Sequence, residues 1–165
     1  MTSLLDTPTL IQTAKLIAVP LPFALAGYSF AFSQNAVPHL YNHSAEISTP
    51  LLKKIYHGGA IIVVPGGLFS LITTAYLAYA IPSQRTTWTT AAGSLFCLSL
   101  WTPLVMIPSN IRRLIEISES PKMQERASAN LEARQLLTKW VQQNYLRVGL
   151  LLVAGVAGLK ATVVV

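Results

Sequence analysis

Charge is what this sequence has least of. Of its 165 residues, 12 are Lys or Arg and 6 are Asp or Glu, 11% together, where a soluble domain carries about a quarter. With 52% hydrophobic residues and a mean hydropathy of +0.50, the chain lacks the polar surface of a soluble fold and reads as a membrane protein. A net charge of +6 does not point to nucleic acid, because the cations lie almost entirely between apolar blocks. The single cysteine, Cys97, excludes an intramolecular disulfide, a Cys-rich zinc site, a CxxC redox pair and a thiol relay. Gly58-Gly59 and Gly66-Gly67 sit inside an apolar run rather than between a strand and a helix, so NAD and FAD are not expected. The first apolar block begins late, contains Pro20 and Pro22 and has no A-x-A-like site, so the N-terminus is expected to be retained.

What the chain does have is apolar length. A spanning helix needs roughly 20 apolar residues for a ~30 Å hydrocarbon core, and four stretches qualify, at about 16–32, 55–80, 88–107 and 137–163. The expected fold is an all-α integral membrane four-helix bundle with kinked helices, one domain over 1–165. The 33–54 and 108–139 connections carry Lys53, Lys54, Arg112, Arg113, Lys122, Arg126, Arg134 and Lys139, against Lys15, Arg85 and Lys160 on the other side. The positive-inside rule therefore puts both long connections in the cytosol, with the endoplasmic reticulum as the default membrane. Ser120-Pro121 reads as the start of an amphipathic helix that runs on toward the fourth span. Kinks are expected at Pro20 and Pro22, at Pro65, and at Pro103 and Pro108. Ala154 and Gly158, four apart, read as a helix-packing seam.

Arg147 is the most informative residue. An uncharged run, Val148 to Leu159, follows it, and none of the four stretches contains an Asp or Glu to pair with it. Such a charge either snorkels to the headgroups or serves a function. Trp140, Asn144 and Arg147 fall at i, i+4 and i+7, so an aromatic plane, an amide and a fixed cation share one helical stripe, suited to a flat aromatic ligand that develops oxyanion charge. Asn110, at the end of the third stretch, and Tyr56-His57, opening the second, lie at the same depth and are expected to converge on that stripe. Asn110 also reads as a helix terminator. His57 reads either as an interfacial histidine or as a general base. His39 and His43, four apart, with His57 as a third ligand, leave a metal site as an alternative.

The order Leu51-Leu52-Lys53-Lys54-Ile55-Tyr56 before a Gly-bearing span, Met106-Ile107-Pro108-Ser109-Asn110 closing the third, and Trp140-x3-Asn144-x2-Arg147 opening the fourth resembles the fungal anthrone oxygenase family. The likeness extends over nearly the whole chain, with Ser109 where Thr is expected and Ile111 where a second Asn often follows. His57 is not part of the family pattern. The resemblance implies oxidation of an anthrone such as emodin anthrone to the anthraquinone, in aromatic polyketide biosynthesis, with dioxygen as co-substrate and no cofactor. Trp140, Asn110 and Tyr56 would then bind substrate, with Arg147 and Asn144 acting on it, while His57, or in second place Tyr56, is expected on chemical grounds alone to take the proton.

The rival expectation is a non-catalytic membrane scaffold or partner of pathway enzymes. It explains the apolar composition and the Ala154/Gly158 seam equally well, but not an unpaired Arg147 in line with Asn144 and Trp140. A transporter has little support, since no ionisable relay or inverted repeat is visible. The topology makes one direct prediction. Asn42-His43-Ser44 is an N-glycosylation acceptor, and a cytosolic 33–54 connection leaves it unmodified; a mobility shift removed by an endoglycosidase would invert the orientation.

Overall fold

Proline placement decides where these helices bend or loosen. The computed structural model describes residues 7–163; residues 1–6 and 164–165, and with them the retained N-terminus, lie outside the described residues. The first span is two helices, α1 (Thr7–Ala18) and α2 (Pro20–Ala31), divided at Val19 because Pro20 and Pro22 open the second without N–H groups to give. It then widens into a π turn at Phe32–Ala36 and tightens into a 3-10 turn at Val37–Asn42. Helix α3 (Ala45–Ala80) is continuous, with Pro50 and Pro65 inside it.

A short 3-10 turn at Pro82–Gln84 leads into α4 (Arg85–Trp101), which continues as a π-helical stretch, Thr102–Ile111. Pro103 and Pro108 explain the wider winding: neither can donate a ladder bond, and each ring crowds the carbonyl four residues back. Helices α5 (Arg112–Ser118) and α6 (Pro121–Ala129) precede the long α7 (Glu132–Val163). Ser120 stands before α6 as expected, but without a side-chain cap bond. Nor does α6 run on into the fourth span. The chain breaks at Leu131, whose φ is 60°, and Asn130 Oδ1 accepts the Glu132 N–H at 3.0 Å to begin α7.

Four long apolar helical segments, Thr7–Asn42, Ala45–Ala80, Pro82–Ser118 and Glu132–Val163, are able to cross a membrane, and Ile61, Ile72, Leu104 and Val156 are exposed, as surfaces facing lipid require. The fold is therefore an all-α, multi-pass membrane bundle without strands among the described residues. Both long connections gather at one end. There the Ala45 N–H donates to Ser128 Oγ at 2.8 Å, and Ala45, Ile117, Ala127 and Ala133 pack together. Lys53–Glu119 and Arg113–Glu132, each 2.7 Å, lie at the surface and contribute about 0–1 kcal/mol apiece, so they orient the cap more than they hold it.

The bundle's interior is layered. Ala14, Ala18, Leu77, Trp88 and Ala161 fill the end away from the cap; Leu25, Ala26, Leu95, Leu98, Val148 and Leu151 fill the middle; Val37, Leu40, Leu52, Met106, Leu114 and Leu137 fill the region below the cap. Helix α7 is the axis, packed on both α2 and α4. The small-residue seam is real and extends over Ala154, Gly155 and Gly158, all buried. A Cβ at Gly155 would lie 2.9 Å from the Phe23 ring, and one at Gly158 would lie 3.3 Å from Trp88. The Ser94 hydroxyl donates to the Leu150 carbonyl at 2.7 Å, locking α4 to α7. Overpacking the seam has a predictable effect. Gly155→Leu should destabilise the fold by about 1–3 kcal/mol, whereas Gly149→Leu, where a Cβ meets nothing within 4 Å, should leave the melting temperature in detergent near that of the unsubstituted protein.

Candidate functional site

Between the middle layer and the layer below the cap the packing opens into a cavity of about 360 Å³. Helices α2, α3, α4 and α7 and the π stretch all contribute to its wall. The wall is mainly apolar, with Phe32, Ile55, Val63, Leu95, Leu98 and Ile107, and is made roomy by Gly59 and Gly67 on α3. Sites for small organic molecules occupy about 300–1,000 Å³ and are apolar with a few fixed polar groups. Here those groups include Tyr28, Tyr56, Trp140, Asn144 and Arg147. No carboxylate and no histidine is among the described residues that line it.

The stripe on α7 is arranged as the helical spacing predicts, and its partners fix its chemistry. Asn144, only 2% exposed, gives one amide hydrogen to the Ser29 carbonyl at 3.0 Å and the other to Ser33 Oγ at 2.6 Å. The Ser33 hydroxyl in turn donates to the same Ser29 carbonyl at 3.0 Å. Asn144 Oδ1 accepts from Arg147 Nη1 at 3.0 Å. A carbonyl can only accept and a guanidinium can only donate, so the amide has one possible orientation and no donor left for a ligand. Asn144 therefore aims the arginine; it does not contact an oxyanion by hydrogen bonding.

Arg147 is half-buried and its Nε has no hydrogen-bond partner. Its charge interacts electrostatically with the Tyr56 phenol, also on the cavity wall. Trp140, 4% exposed, likewise has an unpartnered indole Nε1. Buried polar groups are normally hydrogen-bonded, so two residues with unpartnered donors, on a wall without carboxylates among the described residues, favour a ligand that supplies acceptor oxygens. The apolar remainder asks for an otherwise hydrophobic one.

Two expected members of the site lie elsewhere. His57 is exposed on α3 and does not line the cavity, although its ring packs edge-on against Tyr56 with centroids 5.4 Å apart. It shares the depth of Tyr56 but sits about 100° further round the helix. Asn110 is fully buried outside the cavity, its amide donating to Gln143 Oε1 while Gln143 Nε2 donates to Ser109 Oγ at 2.9 Å. This pair fastens the π stretch to α7. His39 and His43 are both exposed, His39 in the 3-10 turn where a loop is expected and His43 in extended backbone just past its end. No group of three or more His, Cys, Asp or Glu able to hold a metal occurs among the described residues, so the three-histidine alternative has no cluster behind it. The sequence reading missed Ser29, Ser33 and Gln143, because isolated small or amide residues in apolar runs carry no local signal of a distant partner.

A family model described as anthrone oxygenase matches residues 52–157. No curated protein and no solved structure matches the chain. The matched segment runs from the start of the cavity wall on α3 to the packing seam of α7, and so takes in Tyr56, the π stretch and the whole Trp140–Asn144–Arg147 stripe. Extending over more than half of the chain, that match shows that this protein belongs to the anthrone oxygenase family.

Proposed function

We propose that the protein oxidises an anthrone, a tricyclic aromatic polyketide of the emodin anthrone type, to the anthraquinone with dioxygen as co-substrate and no bound cofactor. The reading carries with it a place in a fungal biosynthetic pathway and in the endoplasmic reticulum, with the charged cap in the cytosol. One observation supports it above the others: an arginine without an acidic partner, aimed by Asn144 at an apolar cavity of the size of a small flat molecule.

The chemistry needs little more than these residues. An anthrone's central methylene is acidified by two aryl rings and the conjugated ketone, and loss of its proton moves charge onto the ketone oxygen. Arg147 stabilises that charge in a site from which water is largely excluded, and the Trp140 indole offers its ring to the flat substrate. The Tyr56 oxygen, as its phenolate, takes the methylene proton in the role expected of His57 and is left as the phenol, which later returns that proton to the peroxide anion. The electron-rich anion gives one electron to dioxygen, and the radical pair combines to form the carbon–oxygen bond. Protonation gives a hydroperoxide, which loses water to leave the second ketone. One oxygen atom stays in the quinone, the other leaves as water, and the substrate supplies every electron.

Membranes containing the protein should accelerate oxygen uptake and quinone formation from emodin anthrone over matched empty membranes, in EDTA as in its absence. No acceleration over spontaneous autoxidation across several anthrones would favour the scaffold reading, and a rate abolished by EDTA and restored by a metal would move the chemistry to a metal centre. Arg147→Met should lower kcat by about 10²–10³-fold while the protein still reaches the membrane. Tyr56→Phe should lower it by about 10²-fold or more. Asn144→Leu strands the Arg147 donor and should destabilise the protein by about 1–3 kcal/mol, read from thermal unfolding in detergent, in addition to slowing turnover.

A further inference from the structure

The cavity's closed sides show where its ligand does not enter. Toward the cap it is sealed by the packed layer of Val37, Leu40, Leu52, Met106, Leu114 and Leu137, with α5 and α6 above. Toward the opposite end it is sealed by the middle layer and by the cluster around Leu77 and Trp88. The remaining direction is sideways. Helix α3 packs along α4 and again along α5, but between those contacts the π stretch makes little contact with it. Four cavity-lining residues border this gap and are themselves exposed: Val64 (56%) and Leu68 (49%) on α3, with Ser99 and Pro103 opposite. Val64 lies eight residues beyond Tyr56, about 12 Å along the helix, and Leu68, a turn further on, is near the centre of the uncharged run between Lys54 and Arg85. At that depth the surroundings are hydrocarbon.

We propose that the site is entered laterally from the bilayer, through a portal between α3 and the π stretch, by a flat apolar aromatic dissolved in the lipid. The identity of that occupant rests on the function proposed above; the route rests on the geometry. The π winding then has a specific consequence. By standing away from α3 at Pro103, it leaves a face of the cavity open toward lipid, while Asn110 and Gln143 keep its far side tied to α7. An apolar tricycle would pass from membrane to Arg147 without crossing water.

The test uses the full protein in phosphatidylcholine vesicles, with anthraquinone as the probe and quenching of the protein's intrinsic fluorescence as the readout. The variants are Val64→Phe combined with Ser99→Phe at the mouth, and Ile72→Phe, an exposed position on α3 away from the cavity. A narrowed portal slows entry and exit alike, so both rate constants should fall by about tenfold in the double variant while Kd stays nearly constant. Ile72→Phe should behave like the parent protein. Parent-like rates in the double variant would overturn the portal, as would a raised Kd with unchanged association, which would mean that the new rings occupy the site. Binding of anthraquinone by a parent protein that turns over no anthrone would sink the proposed function and leave the portal standing; no binding at all would sink both.

Discussion

A cation with no anion of its own organises this protein. An arginine inside a spanning helix is costly, up to about 2.5–3.5 kcal/mol at the helix centre, and no Asp or Glu lies in the apolar stretches to offset it. The compensation comes from neutral groups. Asn144 accepts from Arg147 and is itself held by the Ser29 carbonyl and the Ser33 hydroxyl, so α2 and α7 are joined by a polar relay at the level of the cavity. Such a relay needs a carbonyl in reach, and Ser33 lies in the π turn that follows α2. A buried network of this kind is stable only when its members are satisfied. Here the Asn144 amide is fully satisfied, and the unpartnered donor of the network is Arg147 Nε.

The same economy appears in the second distorted segment. The π stretch after α4 gives up regular ladder bonding at Pro103 and Pro108, and the Ser109–Gln143 and Asn110–Gln143 hydrogen bonds fix it to α7. Both π segments contribute residues to the cavity wall, Phe32 from the first and Thr102, Pro103 and Ile107 from the second. π geometry is rare and concentrates at functional sites. In this bundle it acts by displacing helical faces, so that two walls stand apart where straight helices would have packed closed.

Much of this was legible from residue order. Four apolar runs mark four spans, the fourth in spite of Arg147 and Lys160, because hydropathy over some twenty residues is a strong signal. The i, i+4, i+7 stripe located Trp140, Asn144 and Arg147 on one face, because periodicity within one helix survives tertiary packing. What failed was azimuth and partnership. His57 was placed beside the site by depth alone, and the rotation of one residue took it off the wall. Depth alone also suggests Asn110, which lies in the π stretch and turns to Gln143 instead of the cavity. Ser29 and Ser33 meet Asn144 across separations of 115 and 111 residues, a pairing that no local pattern encodes. The expected continuity from α6 into α7 failed at a single residue, Leu131, whose left-handed backbone ends one helix and lets Asn130 begin the next.

The central claim is that Arg147, aimed by Asn144, places its charge on the oxygen of a flat aromatic ketone. Isotope-edited infrared difference spectra of carbonyl-labelled anthraquinone bound to the protein test it without reference to turnover. The account predicts one carbonyl stretch shifted to lower frequency in the unsubstituted protein, as a charged donor polarises the bond, and the loss of that shift in Arg147→Met. Identical carbonyl frequencies in the two proteins, with ligand bound to both, would contradict it.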